Sequence, residues 1–185
     1  KKSTWENFLF LAKASWRIKN LKDCLSICKK NKKYLNIAGG RAWLPSKYVN
    51  NHGVIGGSKK NEVIQSCDAL LFPVRWEEPF GLAIIEAMSY GLPVIGSPFG
   101  SLPELIPNFA GAICQNKTDF AKYTLEQPRN FKQKEIIDYA RSQFNADKMA
   151  DHYVFYYNKL LKKERFHESS PSWQHKNAPT EPLEF

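Results

Sequence analysis

Residues 69–96 read ALLFPVRWEEPFGLAIIEAMSYGLPVIG. Ala69 to Val74 is a continuous apolar run of strand length, and Leu82 to Tyr90 reads as a helix. Gly91 stands at the position where a helix closes on a left-handed residue, and Pro93-Val94-Ile95-Gly96 opens a further strand. Strands that are nearly all apolar, separated by helices, indicate a parallel sheet covered on both faces.

The flanking sequence repeats that alternation. Phe8 to Ala12 reads as a buried strand, Leu21 to Lys30 as a helix ending in lysines, and Tyr34 to Ala38 as a second strand closed by Gly39-Gly40. The segment 41–52 reads as irregular, and Gly53-Val54-Ile55 as a short third strand. Ser58 is placed as the N-cap of a helix from Lys59 to Ser66. Ser101-Leu102-Pro103-Glu104 has the form of a capping box with proline in the first turn. After a brief strand near Ala112-Ile113 the chain reads as helical over 118–126, 133–143 and 146–163. The expected fold is α/β, a doubly wound, Rossmann-like parallel sheet. It comprises one Rossmann-like domain over 1–163 and a polar, proline-bearing, flexible tail over 164–185.

At 185 residues, 43% hydrophobic and 14% aromatic, the chain has the composition of a globular domain rather than a disordered one. No apolar run approaches the roughly 18 residues of a membrane span. The opening KKSTWENFLFLAK is basic and then apolar, but Glu6 and Asn7 interrupt it and a signal peptide is not expected. Cys24, Cys28, Cys67 and Cys114 form no C-x-x-C pair, and Cys24 and Cys28 share a helical stripe with Leu21 and Leu25. They read as small buried hydrophobes in a reducing compartment. The net charge of +9 is uneven: residues 1–60 carry 14 Lys and Arg against two acids, Glu6 and Asp23. Such a basic third suits a nucleic acid, an anionic membrane surface or a phosphorylated small molecule. The run KKNKK over 29–33 reads as a solvated helix end.

Ligands of doubly wound sheets bind beyond the carboxyl ends of the strands, and WEEPFG occupies such a loop. Phe80, Gly81 and Leu82 are expected in the first helical turn, where backbone N–H groups lack helical partners and the dipole favours an anion. Gly81 allows a ligand close to the backbone. Glu86 lies about 7 Å further along the axis, at about 1.5 Å per residue. Carboxylates on both sides of a phosphate cradle fit a ligand with hydroxyls at both ends, as in a nucleotide sugar. The alternative is that Glu78 caps the helix and Glu86 faces solvent. A glycosidase pair would need carboxyls facing each other across about 5–9.5 Å, which a helix start does not provide.

The run EEPFGLAIIEAMSYGLPVIGS, with SLPELI after it, resembles the Glu-x7-Glu motif of retaining glycosyltransferases of the GT-B fold, family 4 (glycosyltransferase group 1). A weaker likeness to that family's C-terminal donor domain extends from about Phe8 to Leu161. The resemblance implies that Glu78 contacts the donor sugar, as the catalytic residue, and Glu86 the ribose. It also implies that Phe80, Gly81 and Leu82 meet the diphosphate and sugar. The family's G-R-x-x and following lysine correspond to Ala12-Lys13 and Lys19. Lysine at the arginine position gives a point charge without a bidentate fork, and Arg17 is a second candidate for the diphosphate.

The implied reaction moves a sugar from a nucleotide-diphosphate sugar to a hydroxyl of an acceptor carbohydrate, lipid or small molecule. No cofactor and no metal are expected, since the sequence has no Asp-x-Asp, and GGSKK at 56–60 only approximates a P-loop. His52, His152, His167 and His175 form no metal spacing. The resemblance further implies an N-terminal acceptor domain absent from this chain, so that the chain alone is inactive. A cytoplasmic location follows, with peripheral contact at the cytoplasmic membrane face left open and no nucleic-acid partner expected. A nucleotide-sugar epimerase, a phosphorylase-type enzyme and a non-catalytic nucleotide-binding module remain as alternatives.

Overall fold

The computed structural model describes residues 4–41, 46–126, 131–167, 169 and 182–185. Six strands form one sheet: β1 (Asn7–Leu11), β2 (Tyr34–Ala38), β3 (Val49–Gly53), β4 (Ala69–Phe72), β5 (Val94–Gly96) and β6 (Gly111–Ile113). Every pairing is parallel, in the order β3-β2-β1-β4-β5-β6. The chain winds outward from β1 to β3, returns, and winds the other way from β4. The reversal between β1 and β4 creates the crevice in which such sheets bind ligands.

The two faces of the sheet are covered by different helices. On one side lie α2 (Gly57–Gln65), α3 (Leu82–Ser89), the short α4 (Leu102–Leu105) and α6 (Gln133–Gln143). They bury Ile64, Ile84, Met88, Leu102 and Ile136 against Leu9, Leu70 and Val94. On the other side lie α1 (Leu21–Lys30) and α5 (Lys117–Leu125), which bury Cys24, Ile27 and Phe120 against Phe8, Phe10, Leu35 and Leu71. Phe8 and Phe10 point one way and Leu9 the other, the period-two alternation of a strand. A strand buried on both faces is therefore apolar at every position, as in ALLF of β4.

Three sequence expectations are corrected. The third strand is Val49–Gly53 rather than 53–55, and Val54 is 90% exposed. β3 lies at the sheet edge, where its polar Asn50 and His52 side chains meet the buried Asn36 amide oxygen at 3.2 and 3.0 Å. Apolarity was thus the wrong signal for this strand. Ser58 lies inside α2, whose N-cap is Gly56. The capping box does not form: Ser101 has helical dihedrals and no side-chain cap bond, and its hydroxyl is buried without a partner among the described residues. Its N–H is instead held by the Glu78 carbonyl at 2.9 Å.

α7 (Ala146–Leu161) carries no buried residue, and Tyr153, Phe155, Tyr156 and Tyr157 are all exposed. The irregular segment expected at 41–52 lies outside the described residues at 42–45, as does the tail at 168 and 170–181, His175 included. The last four residues rest on the domain. Leu183 exchanges backbone and side-chain hydrogen bonds with Arg75, and Phe185 packs edge-on against Phe120.

Candidate functional site

The loop from β4 to α3 carries the two glutamates. Gly81 is the N-cap of α3 with φ +81°, a left-handed conformation that favours glycine. A Cβ there would stand 2.8 Å from Ile84 Cδ1. The helix proper begins at Leu82, so Phe80 and Gly81 precede the first turn rather than occupy it. The N–H groups of Leu82 and Ala83 open the helix without helical acceptors. Leu82 is 75% exposed and Phe80 is held edge-on against Phe144.

Glu78 neither caps α3 nor faces solvent. It is 8% exposed, and its Oε2 accepts hydrogen bonds from Lys19 Nζ at 2.5 Å and Trp76 Nε1 at 2.8 Å. Both contacts fall on Oε2, so Oε1 has no partner among the described residues. Lys19 is itself enclosed, its ammonium 4.7 Å from the Trp76 ring centre and 5.5 Å from that of Phe72. The pair joins the loop after β4 to the end of the 3₁₀ turn Arg17–Lys19, across the reversal between β1 and β4. Arg75 N–H donates to the Ile18 carbonyl at 2.7 Å and fixes the two loops side by side.

A second loop, after β5, closes on the backbone of Glu78. Gly100 has φ +61°, and a Cβ on it would lie 2.3 Å from Glu78 N and 2.4 Å from Glu78 O. Glu77, next to Glu78, accepts from the Gly100 N–H at 2.6 Å. Adjacent glutamates therefore have separate tasks: Glu77 pins the neighbouring loop and Glu78 enters the crevice.

Glu86 lies one turn into α3, half-buried and paired with Lys60 of α2. Lys13 follows β1 and is exposed, with its ammonium 4.9 Å from the Trp16 ring centre. Arg17 points elsewhere. It lines a cavity beside α1 that none of Glu78, Phe80, Gly81, Leu82 and Glu86 lines. Lys19 and Glu78 thus meet beyond the carboxyl ends of β1 and β4, whereas Lys13 leans on Trp16, which lines the cavity together with Arg17. Sequence reasoning missed Trp76, Lys60 and Gly100. Only glycine at 100 carried a signal, as a small residue between Phe99 and Ser101.

Of the titratable groups near this end of the sheet, His52 is held below its ordinary pKa by burial and by Lys59. Among the described residues no group of three or more His, Cys, Asp and Glu side chains could hold a metal ion. No helix of the described residues is long and apolar enough to cross a membrane.

A family model described as glycosyl transferases group 1 matches residues 4–143. An uncharacterized 41.2 kDa protein in the cps region of Klebsiella pneumoniae is 34% identical over 96 residues, which cover 49% of this chain and 26% of that protein. The sulfoquinovosyl transferase SQD2 of Arabidopsis thaliana is 36% identical over 55 residues, 30% of this chain and 11% of that one. Among solved structures, AviGT4, a glycosyltransferase involved in avilamycin A biosynthesis, matches with a TM-score of 0.70 at 24% identity. The match covers 86% of this chain and 52% of that one. Anabaena Alr3699/HepE in complex with UDP and glucose matches with a TM-score of 0.69 at 14% identity, over 83% and 48% of the two chains. The chain spans about a quarter of the first curated relative and about half of these solved ones. At such identities the structural likeness concerns the fold.

Proposed function

The chain belongs to the group 1 glycosyl transferases, and on that footing we propose that it is the donor-binding half of a retaining, metal-independent GT-B enzyme. In this reading it holds a nucleotide-diphosphate sugar whose sugar passes to a hydroxyl of an acceptor carbohydrate, lipid or small molecule. The acceptor is held by a separate N-terminal domain, so residues 1–185 alone bind donor and transfer nothing. The observation that carries the reading is the buried Glu78 carboxylate, with Oε2 occupied by Lys19 and Trp76 and Oε1 left to accept from sugar hydroxyls. A neighbouring fold solved with UDP and glucose supports the donor class.

The proposed division of labour follows from charge. Transfer breaks the bond between the anomeric carbon and the diphosphate oxygen, and the electron pair leaves with the diphosphate. Lys13 and the N–H groups at the start of α3 stabilise the charge that develops there. Lys19 lies between that diphosphate and Glu78, and holds the carboxylate by its Oε2 inside a largely enclosed loop. Glu86 accepts from the ribose hydroxyls, with Lys60 orienting it. Four buried thiols fit a reducing compartment, and we place the protein in the cytoplasm.

Calorimetric titration with UDP-, GDP- and ADP-sugars, each with and without a chelator, tests the reading. Saturable binding of one of them, unchanged by the chelator, is expected. Failure of all three to bind would overturn it.

A further inference from the structure

Outside the donor crevice, a cavity of about 440 Å³ opens between the loop after β1 and the start of α1. Its wall contains Arg17, Lys22, Arg41 and Arg75, and none of its lining residues is an aspartate or glutamate. Among the described residues, Arg17, Lys22 and Arg41 make no ion pair and no side-chain hydrogen bond. Arg75 donates through Nε to the Leu183 carbonyl at 2.5 Å, a neutral acceptor, and has no carboxylate partner among the described residues. Four cations around one cavity repel each other and favour an anion between them.

The other features of the wall point the same way. Asn20 and Leu21, at the amino end of the ten-residue α1, both line the cavity, so the positive end of the helix dipole opens into it. Asp23 in that first turn is diverted: one oxygen accepts from Asn20 Nδ2 at 2.9 Å and the other pairs with Lys117. Asn20 itself is buried, has φ +57°, and makes no cap bond with its side chain. Trp16 adds a half-exposed aromatic face at the rim. Three guanidinium groups provide the planar, bidentate donors that match phosphate oxygens.

We propose that this cavity is a second anion site, which takes the phosphate or diphosphate group of a ligand other than the nucleotide-sugar donor. Arg17, Arg41 and Arg75 grip the phosphate, and Trp16 lies against the organic part next to it. Arg17 then serves this site and not the donor diphosphate. The surplus of basic residues in the first third of the sequence acquires a specific purpose. A soluble phosphorylated compound and a phosphorylated lipid headgroup present the same chemistry to the cavity.

The test is a titration of the chain with inorganic pyrophosphate, followed through the Nε–Hε NMR signals of Arg17, Arg41 and Arg75. Saturable shifts of all three are expected, weakened tenfold or more by Arg41→Gln or Arg17→Gln and little changed by Lys60→Ala. Titrations with glucose 1-phosphate, and with phosphatidylcholine vesicles lacking or containing phosphatidic acid, separate the two sources. Dependence of either response on Arg41 upholds the site. Shifts that grow linearly without saturation, or that match those from sodium chloride at equal ionic strength, overturn it. So does a loss in Lys60→Ala as large as that in Arg41→Gln, since the anion would then occupy the donor site. Absence of nucleotide-sugar binding would leave these signals unaffected, so the two proposals fail separately.

Discussion

Lys19 and Glu78 are 59 residues apart in sequence, yet their ammonium and carboxylate are 2.5 Å apart in a pocket that leaves their side chains 11% and 9% exposed. The sequence reading gives both residues to one ligand, Lys19 to its diphosphate and Glu78 to its sugar. The structure has them hold each other first. A buried pair adds little net stability, but removal of one partner strands a charge at a cost of about 3–5 kcal/mol.

Lys19→Met is therefore expected to destabilise the chain by about that amount, and Lys19→Met/Glu78→Gln by clearly less than the two single changes together. Urea unfolding of the four proteins measures the difference. Additive losses would mean that the pair is not energetically coupled.

Gly100→Ala places a methyl group against the Glu78 backbone in a left-handed conformation. The strain is on the order of 1–3 kcal/mol, and it falls on the loop that positions Glu78. Donor-sugar affinity should drop more than stability alone explains. Gly53→Ala, where a Cβ meets nothing within 4 Å, shares the positive φ and serves as the control. Equal losses of donor affinity in both variants would remove the positioning role.

Lys13 is exposed and has no carboxylate partner among the described residues, so its charge is available to a diphosphate. Lys13→Ala should weaken a nucleoside diphosphate about tenfold, or about 1.4 kcal/mol, and leave the bare nucleoside unchanged. Similar losses for both ligands in calorimetry would assign Lys13 to the base pocket.

The cysteines give a pH prediction. Burial pushes the thiols of Cys28, Cys67 and Cys114 up to about 12, and Cys24 is likewise raised. All four should resist a thiol reagent at pH 8 in the folded chain. A raised folded pKa means that the unfolded chain loses its thiol protons first, at about 8.5. Stability should thus be intact below that pH and decline as pH rises above it. A Cys24→Ala/Cys28→Ala variant should show a shallower decline in its unfolding midpoint. An identical slope would exclude the thiols as the cause.

The alternation of apolar runs with helices made the doubly wound sheet legible, because strands buried on both faces have no polar positions to disguise them. β3 was misplaced for the opposite reason. An edge strand satisfies its side chains with Asn36 and solvent, and so reads as a loop. Glu78, Gly81 and Glu86 were legible as a local motif. Their partners were not: Lys60 and Gly100 reach the site through the sheet topology, Trp76 stands two residues from Glu78 with no motif to mark it, and no sequence spacing encodes the contact of Lys19 with Glu78. Arg17 was two residues from Lys19 and was given the same ligand. The 3₁₀ turn between them sends the two side chains to different sides of the loop.

The most direct test of the account is the affinity of Glu78→Gln for a nucleotide sugar and for the corresponding nucleoside diphosphate, measured by calorimetry on the same preparation. Glutamine keeps the size of the side chain but removes the charge that makes its hydrogen bonds to sugar hydroxyls strong. The account predicts an unchanged nucleoside diphosphate affinity and a loss of tenfold or more for the nucleotide sugar. Glu77→Gln, which retains an acceptor for Gly100, should change neither. Equal weakening of both ligands by Glu78→Gln, or loss of sugar selectivity in Glu77→Gln alone, would contradict the placement of Glu78 against the donor sugar.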